Sequence, residues 1–263
     1  MPQAGREVNR IQSVIKALDI MECLAAADQP LSAQEVAQRC SLSRPTAYRH
    51  LTTLLDRGYV TNCQDSSHYQ IGAQVLSLSK SFLERLDLPE LARADLRELS
   101  RVSQETAHLA VLDGTEMLYV GKVDGPQSVR MHSVIGTRNP LYCTAMGKAV
   151  LAFLSPEERD MLLREITLAP RTSNTITDRA ALATHLELVR VRGFAIDDME
   201  NEEGIRCTGA PIFDHTGSVI AAISVSGPAY RLSDSQLQGL SRLVIGASET
   251  ISGKLGYVPN NAS

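Results

Sequence analysis

Between Ser13 and Ala27 the apolar positions Val14, Ala17, Leu18, Met21, Leu24 and Ala25 recur at helical spacing, which predicts an amphipathic helix. Asp28-Gln29-Pro30 interrupts that period. Ser32 with Glu35 three residues later is a capping box, and it opens a short second helix whose Val36 and Ala37 face inward. Cys40-Ser41-Leu42-Ser43 reads as a tight turn with one buried leucine. Ser43 caps a third helix, with Pro45 in its first turn, where a missing N–H costs little. Two short helices about a tight turn form the helix-turn-helix pattern. At about 100° per residue, Ala47, Leu51 and Leu54 share the inward face of the third helix. Pro45, Thr46, Arg49, Thr52 and Thr53 point the other way, flanked by Arg44 and Tyr48. Gly58-Tyr59-Val60-Thr61 and Tyr69-Gln70-Ile71-Gly72, separated by a polar tip, read as the two strands of a β-hairpin wing.

Beyond the wing, Val75, Leu78, Phe82 and Leu86 make an apolar stripe on a linker helix over Ala73–Leu86, and a second helix spans Pro89–Ser103. Strands are predicted at Thr106–Leu112, Met117–Lys122 and Ser128–His132, the first two joined by an Asp113-Gly114 turn of hairpin type. Helices follow over Gly147–Leu154, Pro156–Glu165 and Arg179–Arg192. Next come strands at Phe194–Asp197, Ile205–Phe213 and Ser218–Ser226, and a last helix over Ser233–Leu255. A sheet of hairpins with helices grouped around it predicts an α+β sensor domain. The expected organisation is a winged helix-turn-helix over residues 11–72, a linker helix over 73–88 and a mixed α+β domain over 89–257.

Composition leaves room for both domains: 263 residues, 43% of them hydrophobic. No apolar run is long enough to span a membrane, and the first ten residues lack the apolar centre of a signal peptide. The cysteines (Cys23, Cys40, Cys63, Cys143 and Cys207) are odd in number and widely spaced, which speaks against a disulfide framework or a zinc site and for a reduced, cytoplasmic setting. The net charge of −4 does not advertise nucleic-acid binding. Basic and acidic side chains balance through Gly72, so DNA binding would rest on a local basic face rather than on total charge.

Such a face exists on the third helix, where Arg and Thr stand with no carboxylate before Asp56. Arg can bond a guanine edge bidentately, while Thr can bond a base or phosphate or touch a thymine methyl. The candidate DNA-binding residues are therefore Ser43, Arg44, Pro45, Thr46, Tyr48, Arg49, Thr52 and Thr53, with His68 of the wing for phosphate. The competing reading is a three-helix protein-interaction module, but capping box, turn, basic face and wing in consecutive order favour DNA.

In the second domain no Gly-rich phosphate loop, GxSxG or HExxH occurs, and Gly147-Lys148 lacks the spacing and the Ser/Thr of a P-loop. No cofactor and no metal are expected. Several polar groups are nonetheless placed to converge. Ala145-Met146-Gly147-Lys148 starts a helix, where free N–H groups attract a carboxylate. Ser224 and Ser226 point to one side of a strand, and Asp197 and Cys207 fall on neighbouring strands. Together they suit a small hydroxy- or keto-acid. The bland alternatives are an inert core cysteine and solvent-facing serines. An enzyme using Cys207 or Asp197 is the rival class, with His108 or His132 as its general base.

These residues resemble the IclR family of bacterial regulators from about Ile11 to Gly256. The resemblance is carried by Leu42–Leu51, Arg57-Gly58-Tyr59-Val60, Tyr69-Gln70-Ile71-Gly72, Ile135–Tyr142, Thr144–Ala149, Glu200–Cys207 and Ala210-Pro211-Ile212. It implies a GAF-like effector domain, a dimer or dimer of dimers on a palindromic operator, and a ligand-responsive, repressor-type regulator. It also implies an effector site of Met131, Ala145, Met146, Asp197, Cys207, Ser224 and Ser226. Met146 is bulkier than the residue some members carry there, which disfavours the smallest ligands such as glyoxylate. Arg138–Tyr142 and Leu255-Gly256-Tyr257 look most like regulators of sugar-acid catabolism, of the 2-keto-3-deoxygluconate type, with aromatic-acid regulators as the competing subgroup.

Overall fold

The computed structural model describes residues 10–63, 67–83, 87–128 and 133–259, and the chain divides into two compact units, Met1–Leu86 and Asp87–Ser263. The predicted strand over Ser128–His132, and with it Met131 and His132, falls almost wholly outside the described residues, as does Leu86 of the linker stripe.

The first unit contains α1 (Gln12–Ala25), β1 (Leu31–Ser32), α2 (Ala33–Arg39), α3 (Arg44–Asp56), β2 (Val60–Asn62), β3 (His68–Ile71) and α4 (Gln74–Leu83). The capping box at Ser32 and Glu35 forms as its spacing predicts, and Ser43 caps α3 with Pro45 in the first turn. Between α2 and α3 the chain turns through Ser41 in the left-handed region (φ 53°). The core gathers Ile20, Leu24, Val36, Ala47, Leu51, Leu54, Val60 and Tyr69. Two features depart from the pattern reading. First, α1 has apolar side chains on more than one face; Ile20 and Leu24 are buried, whereas Val14 and Leu18 are each 52% exposed. Second, Leu31–Ser32 pairs with β3, so the wing is a three-stranded sheet of order β1-β3-β2. A two-residue strand is too short to carry a period.

The second unit contains α5 (Leu88–Ser103), β4 (Thr106–Asp113), β5 (Glu116–Val123), β6 (Arg138–Pro140), α6 (Ala145–Phe153), α7 (Pro156–Glu165), α8 (Arg179–Arg192), β7 (Ala195–Asp198), β8 (Ile205–Phe213), β9 (Val219–Pro228) and α9 (Asp234–Lys254). Six strands form an antiparallel sheet of order β6-β5-β4-β9-β8-β7. Helices α5 and α9 cover one face; α6 covers the other with α8 packed on it. The main core lies between the sheet and α6, with Leu141, Met146, Leu151, Leu182, Leu186 and Ala222. Strand β6 was not foreseen; it is a short edge strand ending in Pro140, where a missing donor faces no partner strand. Among the described residues no helix is long and apolar enough to cross a membrane.

Candidate functional site

On α3 the inward positions are as predicted: Ala47 and Leu51 are inaccessible and Leu54 nearly so. Ser43, Arg44, Pro45, Tyr48, Arg49, Thr52 and Thr53 are exposed, and Thr46 is half-buried. The hydroxyls are already engaged. Ser43 Oγ accepts from the Thr46 N–H and shares a 2.8 Å hydrogen bond with Thr46 Oγ1. Thr52 Oγ1 donates to the Tyr48 carbonyl at 2.9 Å, and Thr53 Oγ1 to that of Arg49 at 2.9 Å. With their protons spent on the helix, these threonines offer outward acceptor lone pairs and methyl groups. Donation from the face falls to the exposed Tyr48 hydroxyl and to the guanidinium groups of Arg44 and Arg49, neither of which pairs with a carboxylate among the described residues. His68 opens β3 opposite Ser32, half-buried and within electrostatic reach of Glu35.

In the second unit the register assembles the other candidates into two rows on one face of the sheet. Asp197 lies opposite Cys207, Cys207 opposite Ser226, and Ser226 opposite Thr106. In the next row Gly209 lies opposite Ser224, Ser224 opposite His108, and His108 opposite Lys122. Over Gly209 sits the start of α6. A Cβ at Gly209 would stand 3.1 Å from the Ala145 carbon and the Met146 nitrogen, tighter than most side chains tolerate, so glycine eases the close seating of the helix terminus. Gly147 serves the other side of the same terminus, since a Cβ there would meet the Leu141 carbonyl oxygen at 2.2 Å. Thr144 caps α6 by accepting from the Gly147 N–H at 3.1 Å, which leaves the first-turn amides of Ala145 and Met146 without an intrahelical partner.

Between these elements is a small, buried cavity lined by Tyr119, Ala145, Met146, Asp197, Cys207 and the two serines, among others. Its free volume is about 10 Å³, room for about one water. Cys207, Ser224 and Ser226 border this cavity and are all at most 6% exposed, so the serines do not face solvent.

Charge is arranged behind this wall. Asp197 Oδ1 accepts the backbone N–H of Glu200 (2.8 Å) and Asn201 (3.3 Å), tying down the loop after β7. Burial raises its pKa from 3.8 to about 7, against the opposing pull of Lys148 and of those two hydrogen bonds. Lys148, fully buried on α6, is ion-paired with Glu200 Oε1, while burial raises the Glu200 carboxyl too. Thr175 Oγ1 donates to the Glu200 carbonyl at 2.7 Å. Burial pushes the Cys207 thiol well above its ordinary value and the Cys143 thiol up to about 12, so neither is a ready thiolate. His108 is pushed down to about 3 by burial and by Lys122, so it is neutral. Among the described residues no His, Cys, Asp and Glu cluster could hold a metal.

Residues 13–62 match the family description "IclR helix-turn-helix domain", and residues 80–253 match "Bacterial transcriptional regulator IclR C-terminal". The chain belongs to the IclR family. Among its relatives is the HTH-type transcriptional regulator KdgR of Escherichia coli K12, 36% identical over 252 residues, covering 96% of this chain and 95% of that one. The HTH-type transcriptional regulator BhcR of Paracoccus denitrificans is 38% identical over 242 residues, covering 92% and 86%. The crystal structure of the Agobacterium tumefaciens repressor BlcR superposes with a TM-score of 0.81 at 28% identity, covering 95% of this chain and 99% of that one. As an IclR-family protein the chain is a DNA-binding transcriptional regulator and not an enzyme. The chemistry agrees, for a Cys207 nucleophile would need an ionised thiol and a base, and burial opposes both.

Sequence reasoning missed three residues that shape the cavity. Tyr119 lies on β5, within the predicted strand Met117–Lys122, and a lone strand gives no sign of which face meets a cavity. Gly209 is an unremarked glycine inside a strand, a position that often marks close backbone approach. Lys148 carried a usable signal: a lone cation in the apolar run Ala145–Phe153 must find a buried partner.

Proposed function

We propose that this IclR-family chain is a repressor of a catabolic operon, and that a small carboxylic acid, of the sugar-acid class, sets its affinity for a palindromic operator. The observation that carries the ligand reading is the convergence on one small, buried cavity of the first-turn amides of Ala145 and Met146, the two buried serines, and Asp197. The α6 amides and the positive end of the helix dipole receive the carboxylate. Asp197, whose raised pKa of about 7 leaves about half of it protonated at neutral pH, donates in its protonated form to the keto or hydroxyl oxygen beside it, and Ser224, Ser226 and Cys207 close round the ligand. Met131, which the family resemblance adds to this set, lies outside the described residues. The sugar-acid class rests on likeness to KdgR along nearly the full chain, and the repressor sign on relatives such as the Escherichia coli "Transcriptional repressor IclR", 33% identical over 244 residues.

On the DNA side, α3 enters the major groove, with Arg49 on a base edge, Arg44, Tyr48 and the Ser43 end on the backbone, Pro45 and the threonine methyls on apolar edges, and His68 at a phosphate. A palindrome calls for a two-fold dimer. The apolar side chains left exposed within the first unit, Ile11, Val14 and Leu18 beside and on α1 and Leu76 and Leu78 on α4, supply its surface, in the cytoplasm where the operator is. Ligand and operator are then linked by a coupling of about 1–3 kcal/mol, roughly 5–150-fold in affinity.

Two variants separate the halves of this reading. Arg49→Ala should weaken operator binding by about 1–3 kcal/mol and leave acid binding unchanged. Asp197→Ala should abolish the acid response while operator binding persists. An Arg49→Ala protein that holds its operator as tightly as the parent refutes the α3 assignment, and loss of both activities in Asp197→Ala reduces that residue to a structural role.

A further inference from the structure

The row of the sheet beneath the α6 terminus does not end at the serines. From Gly209 it runs through Ser224 to His108 on β4 and Lys122 on β5, cross-strand partners that share the cavity face. His108 is completely buried and its ring centroid lies 5.1 Å from that of Tyr119, which lines the cavity. Its Nε2 is held at 2.6 Å by Ser133 Oγ, whereas its Nδ1 is buried with no hydrogen-bond partner. Lys122 Nζ donates to the Ser133 carbonyl at 2.7 Å, closing the row at its far end. A buried ring nitrogen left unpaired is costly unless something completes it.

Strand spacing turns this row into a ruler. Neighbouring strands lie about 4.8 Å apart, so His108, two strands from Gly209, is about 10 Å from where the α6 amides receive a carboxylate. With carbon–carbon bonds of about 1.5 Å, a three-carbon keto acid reaches roughly 3 Å from its carboxylate carbon and stops at Ser224. A six-carbon acid extends roughly 7 Å, and with hydrogen-bond reach its far hydroxyls come to His108.

We propose that His108 is a further effector-contacting residue, whose Nδ1 bonds a distal hydroxyl and so selects long polyhydroxy acids over short keto acids. This rests on the effector reading above and deepens it. Burial and Lys122 keep the ring neutral, which leaves it able to donate or accept according to the tautomer that Ser133 fixes. A neutral ring reads a hydroxyl without adding charge beside Lys122. It also makes selection steep, because an acid too short to reach leaves the nitrogen unpaired.

The test is calorimetric titration of the full chain with 2-keto-3-deoxygluconate and with pyruvate, comparing wild type, His108→Leu and His108→Asn. Wild type should bind the six-carbon acid more tightly. His108→Leu should lose about tenfold or more toward it and stay within about twofold toward pyruvate. His108→Asn, which keeps a polar group, should recover part of the loss. Equal losses for both acids would show that His108 only holds the fold, and no loss for either would show that it makes no contact; each overturns the proposal and leaves the effector reading standing. A wild type that binds neither acid overturns the effector reading and this proposal with it.

Discussion

An Asp197→Asn replacement keeps the shape of the side chain and the oxygen that accepts from the Glu200 and Asn201 amides, and it removes only the titration. Burial is the first cause of the rise in the Asp197 pKa from 3.8 to about 7. A folded-state pKa raised above the unfolded one contributes stability that is fully present below the unfolded value and is lost as pH climbs through the folded value. The rise spans about 3 units, or about 4 kcal/mol over the whole window, of which about 2.5 kcal/mol falls between about pH 5 and pH 8. Wild type should therefore lose about that much stability relative to Asp197→Asn on going from pH 5 to pH 8, the variant being the more stable at pH 8. Urea unfolding of the full chain, followed by circular dichroism at both values, measures the difference, and other titrating groups largely cancel between the two proteins. Parallel pH dependence in wild type and variant would refute the claim that burial raises the Asp197 pKa toward neutrality. The same protonation should make binding of an anionic acid weaken above about pH 7, because an ionised Asp197 repels the ligand and has no proton to donate.

Three further outcomes follow from the packing. Lys148→Met strands the buried Glu200 carboxylate and should destabilise the second unit by about 3–5 kcal/mol, most of which a Lys148→Met/Glu200→Gln double replacement should restore; the same urea experiment reads both. Gly209→Val forces its side chain against the Ala145 and Met146 backbone, so calorimetry should find acid binding lost while operator affinity is kept; unchanged acid binding would contradict the seating of α6 over β8. Val14→Glu with Leu18→Glu should shift the protein toward monomer in analytical ultracentrifugation and lower operator affinity, and an unchanged mass would remove α1 from the dimer surface.

What could be read from the residues alone follows a physical division. Capping boxes, the Pro45 turn and the Asp113-Gly114 hairpin are local chemistry, and α2, α3 and the β4–β5 pair appear where those signals put them. Side-chain direction on a regular element was equally legible, and the buried Ala47, Leu51 and Leu54 face follows from the helical period. Nonlocal facts were not. The period of α1 shows apolar stripes but not which one a monomer buries, so Val14 and Leu18 were grouped with Leu24. Leu31–Ser32 becomes a strand only because β3 lies beside it. In the cavity, Asp197, Cys207, Ser224 and Ser226 could be nominated by residue type and family likeness. The row through Gly209 and His108, and the Lys148–Glu200 pair behind it, depend on strand register and helix placement that no spacing within one segment encodes. The threonines of α3 teach the same point on a smaller scale, since their donors are spent on the carbonyls of Tyr48 and Arg49.

The central claim is that one chain joins operator binding to the occupancy of a buried acid site. Fluorescence anisotropy tests it most directly: the full chain is titrated onto labelled DNA from upstream of its own gene at a stated salt concentration, with random DNA as control, then again with 2-keto-3-deoxygluconate and a panel of small acids. Tight, sequence-specific binding that an acid weakens by roughly 5–150-fold, an effect absent in Asp197→Ala, is the predicted result. Specific binding that no acid moves, or that Asp197→Ala still releases, would contradict it.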